Sequence, residues 1–141
     1  MKDRIGLDTN VLARYYVSDE ADAFTLRQRE AARKLIESGR ALAVSKTVIL
    51  ELEWVLRGYY QFASEDIGQV LTHLLAQPHV QIEDRSAVER AVRHHAAGLD
   101  FADALHHASY AECNSVASFD DRRFARRSKK LNLVPAVQIP R

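Results

Sequence analysis

The sequence has almost no cysteine and no long hydrophobic segment. Cys113 is the only cysteine among 141 residues, so an internal disulfide is impossible and the chain suits a reducing compartment. No window approaches the roughly 18 consecutive apolar residues that a transmembrane helix requires, and the N-terminus has no apolar stretch of signal-peptide length. We therefore expect a soluble cytoplasmic protein that does not associate with membranes.

Residues 122–141 lack acidic side chains altogether. They contain seven basic residues, whereas the net charge of the whole chain is only +1, so the rest of the chain is net acidic. This distribution suits an enzyme that holds cations in one region and a polyanion in another. An exposed basic helix without any ligand is the simpler alternative.

Repeats, low-complexity segments and linkers are also missing, and the length fits a single domain over residues 1–141. Short hydrophobic segments typical of strands alternate with amphipathic helical patterns. The predicted strands cover residues 4–8, 41–45, 80–83, 115–119 and 136–139. This alternation predicts an α/β fold in which helices cover a parallel sheet.

Two carboxylates follow predicted strands directly. Asp8 comes after "IGL" and Asp120 after "SVASF", and ligands of parallel sheets bind beyond the carboxyl ends of the strands. An N-cap role would also explain Asp8, but Thr9 and Asn10 can cap a helix that starts near Val11. Asp121 is an alternative to Asp120 as the site residue, or a cap for the basic helix that follows; we favour Asp120 for the site.

A third candidate carboxylate is Glu51, in the segment "SKTVILELEWVLRGYY". On a helix its neighbours form a largely apolar face, so a carboxylate there needs a compensating cation or donor. Glu53 has Arg57 four residues later and is therefore predicted to form an exposed ion pair. We predict that Glu51 is the working residue, with an exposed position on a helix edge as the alternative.

The segment "DFADALHHA" supplies further candidates. Asp100 is a predicted N-cap, and spacings of three and four place Asp103 and His107 on the same helix face. Asp103 is not needed as a cap and can point into a crevice. His107 could join a metal site, but a solvated histidine is the simpler explanation.

Several carboxylates gathered at one place would repel each other unless a cation neutralises them. A ligand set made of oxygen atoms alone favours Mg²⁺ or Mn²⁺ over Zn²⁺. Such ions activate water and stabilise the displacement at a phosphodiester. The acids therefore predict a divalent-metal site with hydrolytic chemistry.

Four motifs in order, "LDTNVL", Ser45 with Glu51 six residues later, "DFADALHHA" and "SFDDRRFARR", resemble the PIN-domain ribonucleases, specifically the VapC toxins of toxin–antitoxin pairs. The resemblance covers nearly the whole chain. It implies a three-layer α/β/α fold with a central parallel sheet. It also implies a site with Asp8, Glu51 and Asp103 as the core acidic triad, Asp120 as the fourth acid, Asp100 as an additional acid, and Thr9 or Ser45 as supporting polar residues. One departure from the family pattern is the adjacent pair Asp120 and Asp121, where a single acid is usual.

The same resemblance implies an activity and partners. The expected reaction is divalent-metal-dependent endonucleolytic cleavage of RNA by metal-activated water. The expected partners are the RNA substrate and a cognate antitoxin that inhibits the enzyme, in a homodimer or a hetero-oligomer. The basic run with Arg122, Arg123, Arg126 and Arg127 would bind RNA phosphates.

Two other functions are compatible with parts of the pattern. A receiver-like phosphoacceptor module also gathers acids at strand ends, but it expects paired acids after the first strand and a lysine after the fifth. Here Asp8 stands alone and the chain ends in Pro140-Arg141. A catalytically silent PIN-fold binding protein would keep the fold and use the basic helix only for docking.

Overall fold

All five predicted strands are present in the computed structural model, which describes residues 2–19 and 21–141. Each observed strand lies within its predicted segment and is shorter than predicted by at least one residue. The chain forms two compact units, Met1–Arg85 and Ser86–Arg141. The predicted α/β class with parallel strands is confirmed, and the strands of each unit form their own parallel sheet.

The first unit contains a three-stranded parallel sheet. Its strands are β1 (Ile5–Gly6), β2 (Leu42–Val44) and β3 (Val80–Ile82), in that spatial order. Parallel neighbours require crossover connections, and four helices supply them: α1 (Thr9–Tyr16), α2 (Ala23–Ile36), α3 (Lys46–Gly58) and α4 (Ser64–Leu75). All three residues of β2 are buried, as expected for the central strand of a covered parallel sheet.

The second unit contains a two-stranded parallel sheet of β4 (Ser115–Ala117) and β5 (Ala136–Gln138). Helix α5 (Arg85–Ala96) starts at the boundary between the units, and α6 (Phe101–Ser109) follows it. After β4, a π-helical turn (Asp121–Ala125) continues directly into α7 (Arg126–Lys130). The buried side chains of this unit include Val88, Leu99, Phe101 and His107.

Helix α3 is rotated relative to the sequence-based prediction. Glu51 is exposed, whereas the side chain of Glu53 is only 4% exposed and pairs with Arg57 at 2.8 Å. The predicted ion pair is therefore present, but the predicted burial of the two acids was wrong. The buried face is formed by Ile49, Leu52, Glu53 and Leu56, a spacing of three and four residues that includes Glu53. Arg57 compensates the charge that this face brings out of water.

This pair leads to a stability prediction. Replacing Arg57 by Met should lower the free energy of unfolding by about 1–3 kcal/mol, because the buried Glu53 carboxylate loses its cation. This expected loss of stability is smaller than for a fully buried ion pair, since the Arg57 side chain is 52% exposed. The matched control is Arg33→Met, whose pairs with Glu30 and Glu37 are solvent-exposed and should contribute much less to stability. Equal losses in urea unfolding would contradict this explanation.

Within residues 2–19 and 21–141, no helix combines the length and the hydrophobicity needed to cross a membrane.

Candidate active site

Asp8 lies at the junction of β1 and α1 and is the N-cap of that helix. Its Oδ1 accepts a hydrogen bond of 2.8 Å from the Thr9 backbone N–H, and its own backbone is extended. The prediction that Thr9 or Asn10 would cap a helix starting near Val11 was wrong, because α1 already begins at Thr9. The carboxylate is nevertheless exposed, so it has both a capping role and access to solvent.

Thr9 connects Asp8 to Glu51. The Thr9 side chain is buried, and its Oγ1 donates a hydrogen bond to Oε1 of Glu51. The same residue therefore donates to Asp8 from its backbone and to Glu51 from its side chain. The structure thus brings together two of the predicted site acids in the first unit, and Thr9 fixes the direction of the otherwise exposed Glu51 carboxylate.

Ser45 directly precedes α3 and is the N-cap of that helix. Its Oγ accepts from the Val48 N–H at 3.2 Å and lies 3.0 Å from Oγ1 of Thr47. These contacts are those of an N-cap. Of the two supporting polar residues suggested by the resemblance, Thr9 is the one that contacts a site acid.

Asp100 and Asp103 are at the start of α6. Asp100 is the N-cap, as predicted, because its Oδ1 accepts from the Asp103 N–H at 3.1 Å. Asp103 is half-buried. Burial raises the pKa of the Asp103 carboxyl, and the negative charges of Asp100 and Asp120 raise it further, against a smaller opposing effect of His106 and Arg127. Three of the predicted acids are therefore electrostatic neighbours in the second unit.

Asp120 comes shortly after β4 and caps the π-helical turn. Its Oδ1 accepts from the Arg123 N–H at 2.9 Å, and its own N–H donates to Oγ of Ser118 at 3.0 Å. The capping role considered for Asp121 thus belongs to Asp120. Ser118 was not among the predicted residues, although a serine two positions before an aspartate is a recognisable local turn signal.

The three capping aspartates of the candidate site share a geometry with chemical consequences. In Asp8, Asp100 and Asp120, Oδ1 accepts the backbone N–H, and Oδ2 accepts no hydrogen bond from any described residue. Each carboxylate is thereby oriented while keeping one oxygen available. A donor set of carboxylate oxygens fits a hard divalent cation such as Mg²⁺ or Mn²⁺. Among the described residues, no three His, Cys, Asp or Glu side chains are grouped closely enough to hold a metal ion.

His107 is part of the core rather than of the acidic face. It is fully buried, and its Nε2 donates to the Pro135 carbonyl at 2.7 Å. The expectation of a solvated histidine was wrong, because this face of α6 packs inside the second unit, with Phe124 6.4 Å away between ring centroids. The buried imidazole is a structural element of this unit.

The basic run is exposed. Arg122 and Arg123 lie in the π-helical turn, and Arg126 and Arg127 begin α7. Phe124 and Ala125 between them are buried and hold the segment against its unit. Four guanidinium groups are thus presented to solvent next to the Asp120 cap in the sequence, which is a suitable arrangement for binding phosphates.

The chain matches the model of the PIN domain family over residues 5–130. The match runs through both units and includes every acid discussed above, so the chain belongs to the PIN domain family. PIN domains are typically nucleases and generally use divalent metals, so the family places the chain among the hydrolases. Neither the curated proteins nor the solved structures gave a significant match. The match gives no support to the receiver-like alternative.

Proposed function

We propose that the protein is a divalent-metal-dependent endoribonuclease and the toxin of a toxin–antitoxin pair of the VapC type. In this proposal Asp8, Glu51, Asp103 and Asp120 are the ligands for Mg²⁺ or Mn²⁺. Asp100 tunes the site, while Asp121 remains the alternative to Asp120. A cation bound by these acids would activate water and stabilise negative charge at the phosphodiester.

The proposal depends chiefly on one observation, which is the placement of Asp103 among other acids in a chain of the PIN family. A half-buried carboxylate beside Asp100 and Asp120 is unfavourable in a protein without a compensating ligand. A cation would relieve both the burial and the repulsion. The oriented oxygens of Asp8 and Asp120, each fixed by a backbone N–H, support the same interpretation.

The other predicted site residues also have defined roles in this proposal. The Thr9 hydroxyl holds Glu51 in a fixed direction. Backbone N–H groups orient the capping aspartates Asp8, Asp100 and Asp120. The exposed arginines Arg122, Arg123, Arg126 and Arg127 bind phosphates of the RNA, so binding should weaken as the salt concentration rises. A cytoplasmic location and a homodimer or a hetero-oligomer with the antitoxin complete the proposal.

The activity is tested with purified, antitoxin-free protein and a structured RNA labelled at one end. Cleavage in Mg²⁺ or Mn²⁺ that stops on addition of EDTA supports a metal-dependent endoribonuclease. A full lack of cleavage with both ions, together with RNA binding, would instead favour the catalytically silent binding protein. Sequencing of RNA ends after induction then identifies the target, and restored growth on co-expression of a small DNA-binding protein encoded next to this chain would support the toxin role.

A pair of neighbouring variants identifies the fourth acid. Asp120→Asn should slow cleavage roughly 10–100-fold, because an amide oxygen replaces a charged ligand while the cap to Arg123 is kept. Asp121→Asn should change the rate less than about threefold, since Asp100 and Asp120, and not Asp121, are the acids that raise the pKa of Asp103. The reverse order of effects in single-turnover kinetics would assign the site to Asp121.

A further inference from the structure

The second unit contains a cleft of about 750 Å³ whose lining includes none of Asp8, Glu51, Asp103 and Asp120. It lies along α7 and β5, and its walls include Asp121, Arg126, Ser128, Lys129, Asn132 and Val137. Its size is within the range of small-molecule sites, and its lining combines apolar walls with a few polar groups, as such sites do.

Ser128 gives the clearest sign that this cleft receives a ligand. Its side chain is only 2% exposed, and its Oγ has no hydrogen-bond partner among the described residues. Buried hydroxyl groups are nearly always satisfied, so an unpartnered one on the wall of a cleft indicates a missing partner. The natural candidate is a polar atom of a molecule that occupies the cleft.

The charges on the wall indicate the class of that molecule. Arg126 and Lys129 are exposed, one helical turn apart, and neither side chain forms an ion pair with a residue that the structure describes. Two uncompensated cations at this spacing suit a phosphate group. Asp121 at the same cleft would repel any anion placed next to it, but its carboxylate can accept hydrogen bonds from ribose hydroxyls.

The other lining groups fit the remainder of a nucleotide. The Asn132 side chain offers both a donor and an acceptor for a base edge. Val137 is half-buried, and the neighbouring wall of β5 is apolar, which can cover one face of a base. Phosphate, ribose and base are thus each matched by a different part of the cleft.

We propose that this cleft binds one nucleoside monophosphate unit, with the phosphate on Arg126 and Lys129 and with Ser128 as a hydrogen-bonding partner. The unit is either a free nucleotide or one residue of an RNA strand. The choice of RNA rests on the proposed function, and the cleft would then hold a nucleotide of the substrate.

The test is a binding titration of the full chain in EDTA, where metal-dependent cleavage does not occur. The probes are adenosine and uridine 5′-monophosphate, inorganic phosphate and a short single-stranded oligoribonucleotide. Lys129→Ala should weaken binding of the nucleotide or the oligonucleotide about 10-fold, because it removes a charge-assisted hydrogen bond. The matched control is Lys130→Ala, which removes the same charge from the same helix but does not line the cleft, and it should leave binding unchanged.

Ser128→Ala gives a second readout that is independent of charge. It should weaken nucleotide binding without lowering the Tm of the unliganded chain, since the hydroxyl has no partner there. A Tm loss without any change in binding would overturn the role of Ser128 and the proposal with it.

Each remaining outcome decides the question. Tight binding of mononucleotides assigns a free nucleotide, and binding of the oligonucleotide alone assigns a substrate residue; both support the proposal when they depend on Lys129. Equal effects of Lys129→Ala and Lys130→Ala, phosphate binding as tight as nucleotide binding, stronger binding of a polyglutamate peptide, or no binding at all would overturn it. A chain that binds nucleotides here but never cleaves RNA would refute the proposed function and leave the nucleotide cleft standing.

Discussion

Replacing Asp103 by Asn should slow RNA cleavage by roughly 10²–10³-fold, because a charged group that stabilises the cation is lost. The same change should make the protein more stable. In the folded chain, burial and the charges of Asp100 and Asp120 raise the pKa of the Asp103 carboxyl, so the ionised form is unfavourable. Asparagine has nearly the same shape without the charge.

The sign of the pH dependence follows from the raised pKa. Because the folded chain binds the Asp103 proton more readily than the unfolded chain, ionised Asp103 lowers stability at pH values above its folded-state pKa. This penalty disappears as the pH falls below 3.8, the ordinary pKa of an aspartate side chain. The Tm advantage of Asp103→Asn should therefore be present at neutral pH and shrink in acid.

Thermal unfolding at several pH values, combined with single-turnover cleavage, measures both effects on Asp103→Asn. The control is Glu112→Gln, which neutralises an exposed acid of the same unit and should alter neither the rate nor the Tm appreciably. A variant that is less stable than the original protein at neutral pH, or that cleaves at the original rate, would show that Asp103 is an ordinary structural acid.

Replacing Asp8 by Asn should also reduce cleavage roughly 10²–10³-fold, with little change in stability. Asparagine is as good an N-cap as aspartate, so the hydrogen bond from the Thr9 N–H to the side chain at position 8 is retained. Only the negative charge and the second carboxylate oxygen are lost. The rate should fall while the Tm stays within a few degrees.

Asp22 provides the matched control for Asp8. It is the N-cap of α2, with its Oδ1 accepting from the Thr25 N–H at 2.8 Å, the same bond length as that of Asp8. Asp22→Asn should leave the cleavage rate unchanged. If both variants lose activity together with stability, the role of Asp8 is confined to capping its helix.

The sequence was sufficient to predict the α/β class and the position of every strand, because alternating hydrophobic patterns depend on burial alone. It was not sufficient to orient α3. Glu51 and Glu53 differ by two positions, and the choice of the buried one depends on which face packs inward and on whether Arg57 can compensate it. Those conditions are set by tertiary packing.

The predicted site residues also show which features local sequence can predict and which depend on the folded structure. The helix start at Thr9 displaced the expected capping roles, since Asp8, placed directly before it, already supplies an acceptor. His107 was misjudged because its Nε2 donates to the distant Pro135 carbonyl, a contact that no local pattern reveals. The joint action of all four acids, the organisation as one domain and the partners remain predictions.

The central claim is that Asp8 and Asp103 both act in the metal-dependent cleavage of RNA. The most direct measurement is the single-turnover cleavage rate in Mg²⁺ of the original chain, Asp8→Asn, Asp103→Asn and the double variant. Groups that act together have non-additive effects, so the double variant should be about as slow as either single variant. Losses that multiply in the double variant, or an original chain that does not cleave RNA, would contradict the claim.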